Sequence, residues 1–171
     1  MRIARIRALT VVCALALVAG LATLWAIRND SQLSANPDCP PGAVEIKTAP
    51  IPDPSEIEVV VLNGTDQAGL ADQAASQLAD RGFVVIDSGD APEPYDGTAL
   101  VQYGPDQYAA GVHTHAYFYQ GYAAFDIEWV DQPITITLGS QFAEVRSASE
   151  ARQSFAQGGI GEAPEGTCAV E

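Results

Sequence analysis

The two histidines, His113 and His115, stand two positions apart. On a strand both rings would share a face and could chelate a metal. On a helix they sit about 200° apart and cannot. The segment reads as a helix and no third ligand of the right type accompanies the pair, so a structural or surface role is expected. Four acids, Asp87, Asp90, Glu93 and Asp96, crowd one loop. Calcium takes oxygen ligands of this kind, but the spacing of a calcium-binding loop is absent. Acid/base hydrolysis needs two carboxylates in defined geometry, and a sequence with 22 acids singles out no pair. Asn63, Gly64 and Thr65, with Gly69 after them, lie between a strand and a helix, where phosphates often bind. Without a P-loop lysine or G-x-G-x-x-G spacing, a tight turn and an N-cap are expected instead. No serine stands in a nucleophile elbow. No catalytic, metal or cofactor residue is therefore assigned, and no enzymatic activity is expected.

All six tyrosines fall between Tyr95 and Tyr122, with Phe118, Phe125 and Trp129 close by. Aromatic faces can stack on sugars or anchor a protein partner. Most of these rings are expected in a core or a half-buried sheet. Tyr108, Tyr117, Tyr119 and Tyr122 are the candidates for contact with a partner or a glycan.

The elements that must position these groups are readable. Residues 56–62 (EIEVVVL) form a β-branched run ended by Asn63-Gly64, a buried strand. Leu70, Ala71, Ala74, Ala75 and Leu78 then recur at helical spacing; Thr65 or Asp66 can cap the start, and Gly82 suits the end. Residues 83–86 and 98–103 read as strands, 107–119 as a helix, and 123–130 and 134–138 as alternating strands; 43–46 is a weaker strand. The economical packing is an α+β, ferredoxin-like two-layer sandwich: a mainly antiparallel sheet with two helices on one face.

Residues 8–27 hold no charge, and a helix of that length rises about 30 Å, the thickness of a bilayer core. Arg2, Arg5 and Arg7 precede the run and only Arg28 follows closely, which places the N-terminus in the cytoplasm and the rest outside. A cleaved signal peptide is the alternative, but the run is long and ends in Leu24-Trp25-Ala26-Ile27-Arg28, a poor cleavage site. All 22 acids lie beyond Arg28, against Lys47, Arg81, Arg146 and Arg152. Nucleic-acid binding, which needs clustered cations, is excluded on charge. The expected organisation is a tail (1–7), a transmembrane helix (8–27), a Pro-rich linker (28–54), one domain (55–155) and a C-terminal tail (156–171). Cys39 and Cys168 bracket the domain, and outside the cell such a pair can persist as a disulfide; two free thiols are the alternative.

Residues 59–65 (VVVLNGT), 68–71 (AGLA), 78–83 (LADRGF), 103–105 (YGP) and 138–142 (LGSQF) occur in that order. Together they resemble the LytR C-terminal domain family of actinobacterial envelope proteins. The whole layout is similar to small envelope-integrity proteins built on that domain. The same domain follows the catalytic domain of LytR-CpsA-Psr ligases, which attach glycopolymers to peptidoglycan, and that catalytic domain is not found upstream of residue 55. The resemblance implies a non-enzymatic, membrane-anchored scaffold in the cell envelope. Its partners would be envelope proteins, including ligases of that type, or cell-wall glycan.

Overall fold

The computed structural model describes residues 15–16, 18–20, 39–40 and 42–170. The anchor expected over 8–27 lies mostly outside them. Residues 15–16 and 18–20 are helical and exposed, and among the described residues no helix is long and apolar enough to cross a membrane. A separate compact unit spans Asp38–Glu171.

Its described residues form seven strands: β1 (Val44–Lys47), β2 (Glu58–Asn63), β3 (Val84–Asp90), β4 (Ala99–Tyr103), β5 (Tyr122–Phe125), β6 (Ile134–Leu138) and β7 (Thr167–Val170). Its α-helices are α1 (Leu70–Asp80), α2 (Tyr108–His115) and α3 (Ala148–Gly158). Short 3-10 turns cover Pro54–Glu56 and Pro105–Gln107. Strands β2 to β6 form one sheet in the order β3-β2-β6-β4-β5, and β1 pairs with β7 separately.

The sheet is not the mainly antiparallel, ferredoxin-like one expected. Strand β2 runs parallel to both β3 and β6, and β4 runs parallel to β5; only β4 and β6 are antiparallel. The reason is the connections. Helix α1 lies between β2 and β3 and α2 between β4 and β5, and a helical crossover returns the chain in the same direction. The fold is a mixed α/β sheet.

Alternation along the strands sorts the two faces. Val61, Ile136 and Val101 stand in register across β2, β6 and β4, and all three are fully buried. The helices cover this face: Leu70, Ala71, Ala74 and Leu78 of α1 are buried, and Gly111 of α2 lies against the Tyr103 ring. A Cβ on Gly111 would meet that ring at 2.1 Å, so glycine is what lets α2 approach. Two helices on one face, as expected, is what the sheet carries.

Among the described residues, no helix lies on the opposite face. Leu62, Thr137, Leu100 and Tyr122 form one row across β2, β6, β4 and β5, the first three half-buried and Tyr122 64% exposed. A register shift after Val59 leaves Ile86 without an opposite number on β2, and its side chain is exposed.

Helix α3 was not foreseen. Ser147 and Glu150 form its capping box, and Phe155 meets the His113 ring of α2 with centroids 5.8 Å apart. Arg81, at the end of α1, donates to the backbone carbonyls of Gln77, Val145 and Arg146. The segment leading into α3 is thereby fastened to α1.

Candidate functional site

The antiparallel pairing of β4 with β6 brings the ends of β2 and β6 to the same edge as the starts of β4 and β5. At the end of β2 a turn is closed by its own polar groups. Asn63, only 6% exposed, donates from Nδ2 to the Gln67 carbonyl at 2.9 Å. Its Oδ1 accepts from Thr65 N at 3.1 Å and from Thr65 Oγ1 at 2.8 Å. Gly64 N donates to Leu138 O at 2.8 Å, tying the turn to β6. Neither Thr65 nor Asp66 caps α1; the N-cap is Gly69, at φ 76°. The neighbouring cleft, about 490 Å³, is lined by Asn63, Thr65, Asp66, Asp90 and Glu93 among others. The Asn63 side chain is wholly engaged in shaping the turn, and the charged groups of the lining, Asp66, Asp90 and Glu93, are all acidic. Phosphate has nothing cationic to meet there.

The histidines fasten two different segments. His113 donates from Nδ1 to Pro52 O at 3.2 Å, and His115 from Nε2 to Gly121 O at 2.8 Å. Burial lowers the His113 pKa, against smaller opposing effects of the Pro52 hydrogen bond and the Asp53 charge. The rings diverge from a helix and do not chelate. Among the described residues no group of three or more His, Cys, Asp or Glu could hold a metal ion.

The tyrosines divide sharply. Tyr108 and Tyr117, expected as contact candidates, are core residues, 4% and 2% exposed. Tyr108 packs edge-on against Phe125 with centroids 5.5 Å apart, and its hydroxyl donates toward the carbonyls of Ile160 and Glu162 at 3.3 and 3.4 Å. Tyr117 meets Phe83 edge-on at 4.9 Å. Burial raises the pKa of both, and that of Tyr103 to about 12, with the Tyr108 charge adding to the last. Tyr122 stands on the open sheet face and Tyr119 is 60% exposed.

Tyr119 borders a cleft of about 330 Å³ lined also by Thr98, Gln120, Gln141, Glu144, Arg146 and Glu150. The Arg146 guanidinium lies 5.0 Å from the Tyr119 ring centroid, a cation–π contact. Arg146 N donates to Tyr117 O at 2.9 Å, which brings the two side chains together. Hydrogen bonds from the Ser147 side chain and backbone hold the Glu150 pKa down. Sequence reasoning named Tyr119 but missed Arg146, Gln120 and Gln141. The Ser147-x-x-Glu150 pattern marks the start of α3, but no local pattern points from it to a tyrosine so far back in the chain.

The disulfide is present: Cys39 and Cys168 are bonded, with Cα atoms 5.6 Å apart. It ties the residues just before β1 to β7, beside the pairing of Glu45 with Cys168.

Fold and site define a mixed α/β domain with one covered face, one open face and a cleft at the sheet's edge. The chain belongs to the LytR C-terminal domain family, described as "LytR cell envelope-related transcriptional attenuator", which matches residues 56–142. Among solved structures, it is similar to the soluble domain of a conserved hypothetical secreted protein from Mycobacterium marinum. That match is 19% identical, covers 67% of this chain and 80% of that one, and has a TM-score of 0.49. No curated protein matches the chain.

Proposed function

We propose that this chain is a non-enzymatic, membrane-anchored extracytoplasmic binding or scaffold protein that supports cell-envelope assembly or integrity. Membership of an envelope-related family supports the setting. The anchor and the outward orientation rest on residues 8–27 and the arginines before them.

The observation that carries the binding role is the open sheet face. Leu62, Thr137, Leu100 and Tyr122 offer an apolar row, and Val84 and Ile86 add exposed aliphatic surface beside it. Glu58 and Asp87 stand on the same face, and none of the four cations beyond Arg28 lies on β2 to β6. The surface this fits is a protein with an apolar centre bordered by Lys or Arg. The LytR-CpsA-Psr-type ligases named by the resemblance are the first partners to test. The same charge opposes contact with nucleic acid, whatever the family's description says of transcription.

Cells lacking the gene are expected to have a fragile or leaky envelope that the full chain restores. A version with residues 8–27 replaced by a cleavable signal should restore it poorly, because release dilutes the domain around its membrane-bound partners. Asp90→Ala should lose little, since Asp90 does no chemistry and stands off the open face, opposite Asn63. If it abolished function with folding and export normal, an enzyme or metal site would replace the binding role.

A further inference from the structure

The turn between α2 and β5 holds one aromatic ring out over a polar cleft. Tyr117 and Phe118 are buried, and Tyr119, next in the chain, is 60% exposed. The display is built. His115 Nε2 donates to Gly121 O at 2.8 Å, fixing the turn from the helix side. Gln120 takes φ 55°, a left-handed conformation that residues with a Cβ adopt sparingly and that clusters at ligand sites. Arg146 braces the ring, and its own backbone is held on both sides: its N donates to Tyr117 O, and its O accepts from Arg81 Nε.

Around the ring stand the planar amides of Gln120 and Gln141 and the carboxylates of Glu144 and Glu150. Gln141 Nε2 donates to Asp96 O at 2.7 Å, which orients its amide. An exposed aromatic face beside planar hydrogen-bonding groups suits a sugar. The ring face that Arg146 does not cover receives the apolar C–H face, while amides and carboxylates reach neighbouring hydroxyls. The cleft volume, about 330 Å³, accommodates a small ligand. Charge selects among sugars: two carboxylates oppose one guanidinium in the cleft, in a chain with 22 acids against eight Lys and Arg. That field repels uronic acids and sugar phosphates.

We infer that the Tyr119–Arg146 cleft is a binding subsite for a neutral, polyhydroxylated saccharide, with Tyr119 as the stacking platform. The inference rests on the domain being a binding module, but not on the protein partner assigned to the open sheet face. The test is calorimetric titration of the full chain in nanodiscs with neutral pentose, hexose and N-acetylhexosamine oligosaccharides, and with oligogalacturonate as the anionic probe. At least one neutral oligosaccharide should bind, and oligogalacturonate at least about tenfold more weakly. Tyr119→Ala should weaken binding at least about tenfold, the loss expected for a central aromatic contact, and Tyr119→Phe should keep it. Val130→Ala, exposed and outside the cleft, should titrate like the parent chain. No binding by any neutral oligosaccharide, stronger binding of oligogalacturonate, or a Tyr119→Ala chain that titrates unchanged would each overturn the inference. The scaffold role fails separately, in the rescue experiment above.

Discussion

Removing the Cys39–Cys168 bridge by Cys39→Ser with Cys168→Ser should destabilise the domain, by an amount bounded on two sides. The bridge spans 129 residues of sequence. On the chain-entropy account, opening a loop of that length costs up to about 5 kcal/mol. What the bridge holds is smaller: a two-stranded parallel sheet of four residues per strand, running from Val44–Thr167 to Lys47–Val170. A pair that short has little stability of its own. Its main apolar tie to the rest is Ile46, fully buried in the core, whose burial is worth about 2–3 kcal/mol. Without the bridge, β1 and β7 can detach while the five-stranded sheet stays folded, so the expected loss is about 2–4 kcal/mol. Urea unfolding followed by circular dichroism measures it. Hydrogen exchange should show the amides of 44–47 and 167–170 exchanging first. A double variant within about 0.5 kcal/mol of the parent, with protection of those strands unchanged, would refute the reasoning. Alkylatable thiols at both positions in the exported parent protein would refute it more directly.

Two further outcomes are expected. Arg81→Met removes a charged donor from three backbone carbonyls and should cost about 2–4 kcal/mol in urea unfolding; Arg81→Lys should recover only part, because one ammonium cannot span all three. His113 is held neutral by burial, its folded pKa lying below the unfolded value of about 6.5. Its contribution to stability is therefore full above that unfolded value and is lost as pH falls through it toward the folded one. His113→Gln should lose less stability than the parent between about pH 7.5 and about pH 5.5, measured by thermal unfolding at matched salt; equal losses would refute it.

Strand and helix positions were legible for β2, β4, β6 and α1, where one face of the element is buried, whereas the strand expected over 123–130 ends at Phe125 and β7 was not expected. The alternation of Ile134, Ile136 and Leu138 marks β6 at its observed bounds, and the spacing of Leu70, Ala71, Ala74 and Leu78 marks α1. Pairing was not legible, because a strand alternates identically whether its neighbour runs parallel or antiparallel. Strand β6 follows β5 in sequence yet enters the sheet between β2 and β4. Helix α3 escaped because it buries little: Ala151 is the only fully buried residue on it, with Phe155 partly covered. Among the tyrosines, residue type says nothing about exposure. Tyr117 and Tyr119 lie beyond the last residue of α2, where helical periodicity stops sorting inward from outward positions.

Both proposed surfaces follow from the topology of the sheet. Each of the two crossovers, β2–α1–β3 and β4–α2–β5, lays its helix on the same face, so the other face keeps its row of Leu62, Thr137, Leu100 and Tyr122. Inserting β6 antiparallel to β4 sets Leu138 opposite Ala99 and lets Gly139 N donate to Thr98 O at 3.0 Å. The chain leaving β6 thus passes the start of β4, placing Gln141 and then Arg146 beside the turn that displays Tyr119. Had β6 paired parallel to β4, its exit would lie at the opposite edge and the cleft would lose that wall. The open face and the cleft therefore share a scaffold but no side chains of the proposed contacts. Substitutions at Tyr119 and at Leu100 should act independently, within the few tenths of a kcal/mol that separated sites allow.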